Sequence, residues 1–89
     1  MNFKEMKTTT KIPHPVLDIS VFLRENTYLI KIVMQQFEQI YRIKQVDVTG
    51  MDDVKKMLTA DFLDKVYLRF VEMGNDFKES FININKIQS

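Results

Sequence analysis

The chain has 89 residues, no Cys, one His and two Gly, with 13 Lys and Arg against 12 Asp and Glu for a formal net charge of +1. That length suits one domain with a modest core. The lack of Cys excludes disulfides and thiolate metal sites, one His cannot build a histidine metal site alone, and the charge balance argues against nucleic-acid binding by phosphate neutralisation.

Residues 1–14 read as an extended N-terminal arm. Lys4, Lys7 and Lys11 have no apolar block behind them, so no secretory signal is expected. The longest apolar runs, such as Val21-Phe22-Leu23, are far too short to span a membrane. Pro13 and Pro15 stiffen the chain around His14, and Pro15 suits the first position of a helix.

From Pro15 to Lys44 there is no Gly and no further Pro. Ile19, Leu23, Ile30, Val33, Phe37 and Ile40 fall on a 3-4 repeat, with Asn26 in its one polar slot. This spacing predicts a first helix of about 45 Å. Gln45 to Gly50 then reads as a connection, where Thr49 and Asp52 resemble a capping box.

A second helix is expected over Met51 to Met73, with Val54, Leu58, Phe62, Val66 and Phe70 as its stripe and Gly74 as its terminator. Residues 74–89 form a C-terminal docking segment of either helical or alternating pattern. The expected fold is therefore all-α: an antiparallel two-helix hairpin over residues 15–73, flanked by the arm and the docking segment.

Leu17, Val21, Phe22, Leu29 and Ile32 spread around the first helix beyond its seam. A hairpin cannot cover a helix that is apolar over much of its circumference, so either the tail and the N-terminal arm fold back over it or, the favoured reading, a partner supplies the cover. Phe22, Leu29, Ile32, Tyr67 and Phe70 are the expected interface anchors. Asn26 either fixes helix register or meets a partner backbone.

Catalysis finds no support. There is no nucleophile elbow and no phosphate-cradling loop. His14 reads as a surface or capping residue, and Asp61 with Asp64 as a solvated face. No catalytic residue, cofactor or metal is expected. Arg42, Lys44, Lys55 and Lys56 could form a small basic end on the hairpin.

Leu23, Glu25, Asn26, Leu29 and Ile30, with Ile12 and Pro13 or Pro15 upstream, match the L-x-E-N-x-x-L-I pattern and its entry. Val66-Tyr67-Leu68 matches a later V-Y-L element. The chain thereby resembles the SSXT (synovial sarcoma translocation) N-terminal homology domain, in which these elements lie on two helices. The resemblance implies a non-catalytic, nuclear coactivator subunit of a SWI/SNF-type chromatin-remodelling complex. Its hairpin would dock on the ATPase or a neighbouring core subunit, with no direct nucleic-acid or membrane contact. The competing expectations are a helical subunit of an organellar or phage assembly, and a homodimeric helical regulator.

Overall fold

The structure, a computed structural model, describes residues 9–88, with side chains described through residue 84. It is an α+β fold: β1 (Thr10–Ile12), β2 (Asp18–Arg24), β3 (Thr27–Met34), β4 (Phe37–Lys44), a short 3-10 helix (Gln45–Asp47), α1 (Met51–Met57) and α2 (Ala60–Gln88). The strands form one antiparallel meander in the order β1-β2-β3-β4.

The expected all-α hairpin is therefore corrected: residues 18–44 are strands. The physical reason lies in a second period within the same residues. Ile19, Val21 and Leu23 alternate along β2, as do Tyr28, Ile30, Ile32 and Met34 along β3. Alternation sends them to one face of a sheet. The strand segments are also rich in β-branched Ile and Val, which favour extended backbone. The supposed helical seam mixes inner-face residues such as Ile19 and Ile30 with outer-face Val33 and Ile40.

Two tight turns close the meander without glycine. Glu25 and Asn26 both take positive φ, at 50° and 66°, joining β2 to β3 in the primed geometry that matches strand twist. Gln35 takes φ 57° between β3 and β4. Each such residue carries a local cost of about 1–2 kcal/mol. The Asn26 carbonyl accepts a 2.8 Å hydrogen bond from the Gln45 amide, tying the first turn to the end of β4.

The inner sheet face packs on the helices. Leu17, Ile19, Val21, Tyr28, Ile30 and Ile32 meet Val54, Leu63, Val66 and Phe70 in the core. Full burial of each such side chain contributes roughly 1.5–3 kcal/mol. One polar bridge crosses this contact. Gln39 Nε2 donates to the Val66 carbonyl at 3.1 Å, and the Tyr41 hydroxyl donates to Gln39 Oε1 at 2.7 Å.

The predicted second helix is present but divided. Thr59 starts α2: its hydroxyl accepts from the Phe62 amide at 3.1 Å, an N-cap that ends α1 at the preceding turn. The Thr49 partner is Asp53 rather than Asp52. The Asp53 carboxylate accepts from both the amide and the hydroxyl of Thr49, at 2.9 and 2.7 Å. Gly74 lies inside α2 and does not end it, so the docking segment is a continuation of that helix.

Candidate functional site

Two surfaces stand out, one on each side of the fold. The first is on α2. Leu63, Val66, Phe70, Met73, Phe77, Phe81 and Ile84 recur at three- and four-residue spacing and so share one face of the helix. Leu63, Val66 and Phe70 are buried against the sheet. Phe62 meets Tyr41 edge to face, and Phe77 meets Phe37 in the same way. α2 therefore runs back along β4 and leaves the sheet where β4 begins. From that point the stripe opens to solvent: Phe77, Phe81 and Ile84 are 58%, 59% and 51% exposed. From Phe77 to Gln88 the helix extends about 17 Å further.

The second surface is the outer sheet face. Phe22 pairs with Leu29 across β2 and β3, and Leu29 pairs with Arg42 across β3 and β4. With Ile40 they floor an open depression of about 540 Å³, rimmed by Arg24, Glu25 and Lys31. Lys11 binds Asp18 at 2.6 Å and Lys31 approaches Glu38 at 3.9 Å. Arg24, Arg42 and Lys44 have no carboxylate at ion-pair distance among the described residues.

The net charge of +1 thus conceals a segregation. The outer sheet face carries Lys11, Arg24, Lys31, Arg42 and Lys44 against Asp18 and Glu38. Residues 51–84, the helical side, carry seven Asp and Glu against five Lys and Arg.

The structure separates the expected anchors. Phe22 and Leu29 come together on the outer sheet face. Asn26 is exposed in the β2–β3 turn. Ile32 and Phe70 are core residues, at 0% and 1% exposure, and present no surface. Tyr67 is exposed on α2. Sequence reasoning missed Arg24 as a surface partner of Phe22. Period-two alternation along β2 is the signal that finds it. The expected basic end divides: Arg42 and Lys44 belong to β4, and Lys55 and Lys56 to α1.

His14 is a local clasp. Its Nδ1 accepts from the amides of Val16 and Leu17 at 3.1 and 3.0 Å, closing the β1–β2 connection. Asp61 pairs with Lys65 at 3.4 Å across one helical turn. No group of three metal-ligating side chains occurs among the described residues, and no helix is long and apolar enough to cross a membrane. A smaller apolar gap of about 230 Å³ lies between the inner face of β3–β4 and the α1–α2 junction, beside Met57 and Leu58.

Leu23 to Ile30, which carry the SSXT-like pattern of a first helix, form the β2–β3 hairpin, so the helix that the resemblance implied is absent. No family model, no curated protein and no solved structure matches this chain.

Proposed function

We propose that the protein is a non-catalytic interaction module that docks a larger protein through the free C-terminal half of α2. One observation carries this reading: the stripe that fills the core upstream continues past the sheet as Phe77, Phe81 and Ile84. An apolar stripe on a helix face is the arrangement that packs into a partner's groove or against a partner helix. Three large side chains in water each forfeit part of roughly 1.5–3 kcal/mol of burial, which docking recovers.

The remodeller-subunit role rests on the sequence resemblance alone. Its Leu23–Ile30 motif lies on a hairpin while Val66-Tyr67-Leu68 lies on α2, so the first-helix part of the resemblance has no support in the geometry.

The test is capture from the source cells with immobilised full-length chain, compared with Phe81→Asp combined with Ile84→Asp. A partner held by the parent chain and lost by the variant supports the reading. The same partners held by both would overturn it.

A further inference from the structure

We infer that the outer sheet face is a second and separate docking surface, and that it takes an acidic, partly apolar protein segment. The inference does not depend on the role of α2, because none of its observations involves that helix.

The floor is apolar. Phe22, Leu29 and Ile40 come from three adjacent strands; Phe22 and Leu29 are half-buried and Ile40 is exposed. An isolated module with a one-layer sheet normally places polar side chains on the solvent face. Large apolar residues at adjacent positions there are instead the composition of an interface centre.

The charge is one-sided at the same place. The register sets Arg24, Thr27 and Lys44 side by side in one cross-strand row, and Phe22, Leu29 and Arg42 in the next. Three cations without an ion-pair partner among the described residues therefore flank the apolar floor at the β2–β3 turn end. At the other end Asp18 and Glu38 engage Lys11 and Lys31. Glu25, on the turn, is the carboxylate that lines the depression itself. Arg is favoured at interface centres because its planar fork binds a carboxylate with two parallel hydrogen bonds. Here two Arg stand within one row of each other beside a Phe, both residue types enriched at interfaces.

Nucleic acid fits this face less well. Single strands are held by successive bases stacked on aromatic rings. Phe22 is the only ring among the described residues of the outer face, since Tyr28 and Tyr41 point to the core. Leu29 and Ile40 offer aliphatic surface, which suits a protein side chain.

The experiment measures fluorescence anisotropy of three labelled probes against the full chain. One is a short peptide of Glu and Leu, one is the same peptide with Gln for Glu, and one is an oligothymidylate. The acidic peptide should bind at least about tenfold tighter than its Gln counterpart and weaken steeply with salt. Arg24→Glu with Arg42→Glu should remove that binding, whereas Lys55→Glu with Lys56→Glu should leave it within about twofold. Phe81→Asp should also leave it intact, which separates this surface from the one on α2. Equal binding of the Gln peptide, tighter binding of the oligothymidylate, or equal loss in both charge reversals would overturn the inference. Should the double Arg variant not fold, backbone amide shifts in the parent chain decide instead. Shifts at Phe22, Leu29 and Ile40 support the assignment, and shifts confined to the helices contradict it.

Discussion

The Phe37 and Phe77 rings meet edge to face, 6.0 Å between centroids and 84° between planes, where α2 leaves the sheet. Phe37 is the first residue of β4, so this contact is the last ring contact the sheet offers the helix. Gly74 sits one turn earlier, and a Cβ there would make ordinary contact with the Phe37 ring at 3.8 Å.

The pair should be coupled. Phe37→Ala and Phe77→Ala should each destabilise the fold. A double-mutant cycle in urea should give an interaction of about 0.5–1.5 kcal/mol. A coupling near zero would mean that the helix end does not rest on β4.

Gln39 bridges sheet and helix, and its removal leaves two polar groups to reorganise. Gln39→Ala should cost about 1–3 kcal/mol, because the Tyr41 hydroxyl loses its acceptor at a part-buried position. Tyr41→Phe should cost less, about 1 kcal/mol, since it deletes one donor and leaves Gln39 bound to the Val66 carbonyl. Chemical denaturation of the two variants checks the order.

The turns hold a reserve of stability. Glu25→Asn with Asn26→Gly places the preferred pair at two residues of positive φ. It should stabilise by about 1 kcal/mol and raise the thermal midpoint by roughly 4–8 °C. Gln35→Gly should act in the same direction. In a helix, glycine at position 26 would instead destabilise by about 1 kcal/mol. Calorimetry of these variants therefore also distinguishes a hairpin from the helical alternative.

Acid should loosen the start of α1. Hydrogen bonds from the Thr49 amide and hydroxyl, aided by Lys56, hold the Asp53 carboxyl below its ordinary value of 3.8, against a partial opposing effect of burial. A carboxyl depressed in the folded state adds stability above its unfolded pKa, and that stability is lost as pH falls through the folded pKa. Asp53→Asn should therefore destabilise at neutral pH, and the gap to the parent chain should close as pH drops below about 4. Thermal melts of both proteins across that range read the effect.

Much of α2 and its surroundings was legible. The Val54, Leu58, Phe62, Val66 and Phe70 stripe is a helical signal, and Val54, Val66 and Phe70 of it are buried, Phe70 as a core residue and not as the expected interface anchor. Thr59 was overlooked as an N-cap because the stripe runs through it without a break. Gly74 read as a terminator because glycine usually ends helices, yet its backbone stays helical here. The first half was misread for a different reason. With apolar residues on both faces of the strands, a 3-4 pattern can be drawn through a period of two. The turns at Glu25-Asn26 and Gln35-Gln36 also lack the glycine that announces a hairpin. The surplus of apolar surface noted along residues 15–44 is real, but it belongs to the two sides of a sheet. Phe22 and Leu29 were found by that surplus. Period-two alternation along β2 finds Arg24 beside Phe22, whereas only the strand register sets the distant Lys44 in the row next to theirs.

The core itself is expected to depend most on Phe70, which is 1% exposed at the centre of the sheet–helix contact. Phe70→Ala should cost about 3–5 kcal/mol, a large fraction of the total stability of a domain of this size. Far-UV circular dichroism and urea titration check this directly.

Phe81 and Ile84 lie outside the buried core and are 59% and 51% exposed, so their substitution separates docking from stability. The deciding measurement is the unfolding midpoint of Phe81→Asp with Ile84→Asp, taken together with its capture of partner from native extract. An unchanged midpoint with capture abolished is the expected result. Capture that survives intact in the folded variant would contradict a docking role for α2.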